Sequence, residues 1–127
     1  MEEALRALLL ADAGVSAAVG NRVDWMASPQ GAALPRLVLQ VIDDSEGDTY
    51  RGPDGLSQAM VQVDAYGRTY ADAKGAARAV RACLDHYVGG QFQAVIHQTT
   101  RDSRESGQGA EDIFRVSQDF DINWSVS

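Results

Sequence analysis

The sequence predicts an α+β fold: a mostly antiparallel sheet of two hairpins packed by one long helix, with a short helix at the N-terminus. Three observations predict it. Two pairs of segments carry strand-type apolar patterning, and a polar, glycine-containing stretch joins the members of each pair. A long segment with helical apolar spacing separates the pairs. A leucine-rich stretch opens the chain with apolar residues three and four apart. A sheet and a helix that are each apolar on one side bury those sides against each other.

Residues 1–11 read as a short helix. Leu5, Leu8 and Leu9 share a face, and Glu2 and Glu3 suit the positive N-terminal end. Asp12, Ala13 and Gly14 break it, and residues 15–19 suggest another helical turn. A short strand follows at residues 23–26. Residues 27–35, with Pro29, Gly31 and Pro35, carry loop chemistry. Residues 36–42 form a strong strand. Leu37, Leu39 and Val41 lie on one face, with Val38 and Ile42 on the other, the mark of a central, covered strand. Residues 43–56 are polar and turn-rich. Residues 58–66 then alternate cleanly: Ala59, Val61, Val63 and Ala65 point one way, Gln58, Gln62 and Asp64 the other.

The main helix is expected over residues 70–87, with Ala73, Ala76, Ala77, Val80, Leu84 and Tyr87 on its apolar stripe. Thr69 is placed to cap it, with Asp72 as the capping-box acid. The alanine-rich stripe lets the helix lie close to a sheet. Gly89 and Gly90 are expected to end it. Two strands close the chain, at residues 92–100 and 113–124. In the second, Phe114, Val116, Phe120, Ile122 and Trp124 share a face interrupted by Gln118. Residues 101–112 make a second polar tip. The strand–strand connections look antiparallel, and the 127 residues are expected to form a single domain.

Composition narrows the function. The net charge is −7, with one lysine, Lys74, and ten scattered arginines. Phosphate-backbone binding needs clustered basic residues, so no sequence-specific nucleic acid binding is expected. No apolar run approaches the roughly 20 residues that span a bilayer, so no membrane partner is expected. The single cysteine, Cys83, fits a reducing compartment. The chain reads as soluble and cytoplasmic.

Catalytic and metal signatures are not found. There is no G-x-S-x-G elbow, no H-E-x-x-H and no paired Cys-x-x-Cys. Cys83 and His86 are three residues apart on the expected helix, but Cys83 adjoins Leu84 on its core side and reads as a buried thiol. Asp43, Asp44, Glu46 and Asp48 fail the calcium-loop pattern: the glycine, Gly47, precedes the last acid, and no glutamate closes the loop at its twelfth position. No cofactor and no metal are expected, and the chain does not read as an enzyme.

The two long polar tips are what the sequence offers instead. They read either as simple mobile loops or as contact arms that order against neighbouring subunits. Candidate contacts are Asp43, Asp44, Glu46, Asp48, Tyr50 and Arg51 in the first tip, and Arg101 and Arg104 in the second. The planar guanidinium fork suits Arg51, Arg101 and Arg104 to pair with the acids across a subunit boundary.

Several stretches carry a resemblance: residues 3–19 (EALRALLLADAGVSAAV), 29–41 (PQGAALPRLVLQV) and 61–84 (VQVDAYGRTYADAKGAARAVRACL), with a looser fit through DIFRVSQDFDINW. Together they cover most of the chain. They make it resemble the tail completion proteins of long-tailed phages and gene transfer agents, which include tail terminators and head-to-tail joining proteins. The resemblance implies a structural particle protein. It would cap the head-proximal end of the tail tube as a ring, commonly a hexamer, end tube polymerisation and provide the joint to the head. The implied partners are copies of itself, the major tail-tube protein and a head connector or stopper protein. The implied location is the host cytoplasm during assembly, then the head-proximal end of the particle's tail. A connector adaptor on a similar fold is the alternative reading, and a small hydrolase a more distant one.

Overall fold

A computed structural model of the protein describes residues 1–26, 34–44, 56–106 and 112–125. In chain order the elements are α1 (Glu2–Ala11), α2 (Ala13–Val19), β1 (Val23–Trp25), β2 (Arg36–Asp44) and β3 (Leu56–Gly67). Then come α3 (Tyr70–Leu84), β4 (Tyr87–Gly89), β5 (Phe92–Ser106) and β6 (Asp112–Ser125). The strands form one six-stranded sheet in the order β1-β2-β3-β6-β5-β4. The α+β class follows, with three helices packed on one face of a mostly antiparallel sheet.

Strand alternation decides which side the helices cover. Leu37 and Leu39 of β2, Val61 and Val63 of β3, and Val116, Phe120 and Ile122 of β6 all point into the helix layer and are fully buried. Leu5 and Leu9 of α1, Val15 and Val19 of α2, and Ala73, Ala76, Ala77, Val80 and Leu84 of α3 meet them. Each large aliphatic or aromatic side chain so buried contributes about 1.5–3 kcal/mol. The alanines keep the α3 backbone close to the sheet. Gly67 allows the tightest approach: a Cβ there would lie 2.7 Å from the Ala73 nitrogen. Thr69 caps α3 as expected, its Oγ1 accepting the Asp72 N–H at 3.0 Å. Asp12 does the same for α2, accepting the Val15 N–H at 2.9 Å.

Three expectations are corrected. First, β1 runs parallel to β2, not antiparallel, pairing Val23–Leu37, Asp24–Val38 and Trp25–Leu39. Side-chain bonds to main-chain carbonyls hold this short strand: Arg6 Nε to Val23 O at 2.7 Å, Arg22 Nε to Pro35 O at 2.7 Å and Trp25 Nε1 to Glu2 O at 3.2 Å.

Second, α3 ends at Leu84 rather than at Tyr87, and Tyr87 opens the edge strand β4. Asp85 turns extended, His86 takes a left-handed φ of 65°, and the chain reverses. The reversal is bonded to β5. The His86 N–H donates to Val95 O at 2.6 Å, and the Asp85 carboxylate accepts the His97 N–H at 2.9 Å.

Third, the second polar tip is shorter than expected, because 101–106 continue β5 against β6.

Candidate functional site

The side of the sheet away from the helices is polar. Register places its residues in rows across the strands. One row runs Asp24, Val38, Asp64, Ser117, Arg101 from β1 to β5. The next includes Gln40, Gln62, Asp119 and Thr99.

Two networks organise this face. Asp64 is only 6% exposed, yet it carries a carboxylate. Ser117 Oγ donates to it at 2.5 Å and Gln62 Nε2 at 2.9 Å. Buried carboxylates need such donors, because desolvation otherwise costs several kcal/mol. Beside it, Arg101 grips Asp119 with two nitrogens, at 2.8 and 3.2 Å. Thr99 Oγ1 donates to the same carboxylate at 2.9 Å. The Arg101 hydrogen bond, helped by Thr99, holds Asp119 below the usual carboxylate range despite opposing burial. Arg101 in turn is raised by that bond. On the helix side of β5, Asp102 accepts from Tyr70 Oη at 2.9 Å and lies 3.7 Å from Lys74 Nζ.

Of the contact residues read from sequence, the structure describes Arg101 and Arg104 on β5 and the backbone of Asp43 and Asp44 at the end of β2. The side chains of Asp43 and Asp44, and all of Glu46, Asp48, Tyr50 and Arg51, lie outside the described residues. The strand order sets the two described groups far apart: β2 lies next to one margin of the sheet and β5 next to the other. They do not meet within one copy. Arg101 is held instead by Asp119, a partner that sequence separation hid. Asp24, in the same register row as Arg101, also escaped the sequence reading, because a three-residue strand gives almost no periodic signal.

Two hollows lie on the helix side. One of about 310 Å³ is lined by Leu8, Ala11, Asp12, Ala82, Cys83 and Tyr87. Burial and the adjacent Asp12 push the Cys83 thiol up to about 11, so it stays protonated and unreactive near neutrality. His86 is not its partner: its ring lies 3.7 Å from Asp85 instead. The other hollow, about 540 Å³, is lined by the start of α1 and Gln91. In the first, the Asp12 carboxylate beside Cys83 raises the thiol instead of activating it. Among the described residues no three His, Cys, Asp or Glu side chains come together as metal ligands. No helix is long and apolar enough to cross a membrane among the described residues.

Fold and surface together define a small α+β protein, a helix-backed sheet whose described polar groups spread over an open face instead of converging in a cleft. Comparison with known proteins takes this further. The sequence model for tail completion protein gp17 matches residues 3–124, and the chain belongs to that family. It is similar in fold to a chain in the solved structure described as the virion of a native gene transfer agent (GTA) particle. The TM-score there is 0.70, with 22% identity, covering 96% of this chain and 92% of that one. Comparison with curated proteins gives no match.

Proposed function

We propose that the chain caps the head-proximal end of a tail tube as a ring, stops tube growth and presents the surface that joins the head connector. The family match over residues 3–124 carries this reading. The likeness in fold to a chain of a gene transfer agent particle supports it. The partners are further copies of the chain, the major tail-tube protein and the head connector or stopper protein. The chain acts as one unit through the contacts it makes, with no bond made or broken in a substrate. It assembles in the host cytoplasm and then sits in the particle.

The physics of the role is asymmetry. A ring needs one patch on each copy to bind a different patch on the next, through a rotation that closes. Commonly six copies would do so. One rim of the ring must match the last ring of the tube, and the other must offer no tube-like surface, so that growth ends. The acidic balance, −7 overall, suits recognition of a basic rim and repulsion of mismatched copies. Arg51, Arg101 and Arg104, with Asp43, Asp44, Glu46, Asp48 and Tyr50, are the proposed contact groups.

Deleting the gene in a particle-producing host tests the reading. Headless tails of uncontrolled length are expected. Tails of normal length without heads would favour a connector adaptor instead, and normal infectious particles would end the proposal.

A further inference from the structure

The two margins of the sheet are stepped, and the steps are complementary. At one margin, β1 covers β2 only from Leu37 to Leu39. Above it, among the described residues, nothing pairs with the outer side of Gln40–Asp44. At the other margin, β4 covers β5 only near Phe92–Val95. Below it, the outer side of β5 beyond His97 has no strand partner among the described residues.

Register fixes the relative heights of these steps. One row runs Asp44, Ala59, Ile122, Val95, Tyr87 across the sheet. β4 therefore stands at the height where, among the described residues, β2 has no outer partner. Another runs Trp25, Leu39, Val63, Gln118, Thr100. β1 therefore stands at the height where, among the described residues, β5 has no outer partner. Each margin projects where the other recedes.

We infer that neighbouring copies join through these margins, the β1–β2 margin of one copy docking on the β4–β5 margin of the next. The inference rests on the ring reading and specifies its interface. A side-by-side repeat in the same orientation sets β1 antiparallel beside β5, and β4 parallel beside β2 of the neighbour. Bare strand edges present rows of N–H and C=O groups that favour such pairing. The interface is heterologous, as a closed ring requires.

Two independent observations support a second copy as the occupant. The first is charge in register. Asp24 and Arg101 end the same row, on the same open face, at opposite margins. Repetition brings Arg101 of one copy level with Asp24 of the next. Asp119 already orients the Arg101 guanidinium, which is 53% exposed and keeps further N–H donors for a second carboxylate. Asp24 has no ion-pair partner among the described residues. The second observation is apolar exposure. Met26 is 67% and Ile42 43% exposed at the β1–β2 margin, and Val88 is 69% exposed on β4 at the other. Apolar side chains stand uncovered on both margins that the repeat would bury.

Cysteine pairing in assembled particles tests this. The variant carries Asp24→Cys, Arg101→Cys and Cys83→Ala, in a host that makes particles. Facing residues on neighbouring strands have Cβ atoms roughly 4.5–5.5 Å apart, within reach of a short thiol cross-linker. A cross-linked ladder of the chain is expected, and the two single-cysteine controls should stay monomeric on a denaturing gel. If the chain forms multimers in the particle but Asp24→Cys and Arg101→Cys do not cross-link, the margin interface is wrong and the ring stands. A cross-link to another particle protein gives the margin a different occupant and also overturns the inference. A chain present as single copies overturns the ring reading with it. A second variant pair guards against misfolding of the first. Asp24→Lys should weaken self-association about tenfold or more, because it sets a second cation against the neighbour's Arg101, and Asp24→Asn should weaken it less. Unchanged association in Asp24→Lys contradicts the inference.

Discussion

Two glycine-to-alanine substitutions, eight residues apart in sequence, should change stability in opposite directions. At Gly67 a Cβ would sit 2.7 Å from the Ala73 nitrogen, 2.9 Å from Asp72 Cβ and 3.1 Å from Thr69 O. Two of these are backbone atoms of the first turn of α3 and its cap, so they cannot swing aside as a flexible side chain would. Overpacking of this kind costs about 1–3 kcal/mol. A shift of the turn also loosens the Thr69 cap, worth about 1 kcal/mol. We therefore expect Gly67→Ala to destabilise by about 2–4 kcal/mol. At Gly75, exposed in the middle of α3, a new Cβ meets nothing within 4 Å. There alanine gains about 1 kcal/mol through helix propensity. Urea unfolding followed by circular dichroism separates the two. With a slope of about 2 kcal/mol per molar, the midpoint should fall by about 1–2 M for Gly67→Ala and rise by about 0.5 M for Gly75→Ala. An unchanged midpoint for Gly67→Ala, with the expected rise for Gly75→Ala, would refute the close approach of α3 to β3.

Other outcomes follow from the same structure. Thr69→Ala should cost about 1 kcal/mol in the same urea assay, and Thr69→Ser much less, because only the hydroxyl reaches the Asp72 N–H. The folded-state value of Asp119 is depressed by Arg101, so its contribution is present above the unfolded value of about 3.9 and lost as pH falls through the folded one. Arg101→Gln should thus lose stability at pH 7 and approach the parent as pH falls through the depressed folded value. A gap that does not change with pH would contradict this assignment. Cys83 should react with iodoacetamide far more slowly at pH 8 than a free peptide thiol, since its thiol is raised to about 11. Asp12→Ala should speed the reaction by removing the adjacent negative charge.

Periodicity carried most of the fold. The alternation of Ala59, Val61, Val63 and Ala65, and the α3 stripe from Ala73 to Leu84, emerge in the structure as the two faces that meet in the core. What periodicity missed depends on partners distant in sequence. β1 is three residues long, and its parallel pairing is secured by carbonyl contacts from Arg6 and Arg22. The end of α3 depends on Asp85 bonding the His97 N–H, a contact made only once β5 is in place. Tyr87 fits the helical stripe by spacing, and the tertiary hydrogen bonds override it. Residues 101–106 look like tip composition, yet pairing with β6 draws them into the sheet.

The surface was less legible than the core. Arg101 stood out as a contact residue from its type and its place in a polar tip. Its intramolecular clasp by Asp119 could not be read, because the two lie 18 residues apart and meet through strand register. Asp24 gave no signal at all. Its place in a row with Arg101 depends on four successive strand pairings, which no local pattern encodes.

The central claim is positional, and labelling tests it most directly. Particles carrying a gold-tagged copy of the chain should show the label where the head meets the tail, and at one end only of headless tails. Label along the length of the tube or at its distal tip would contradict the account.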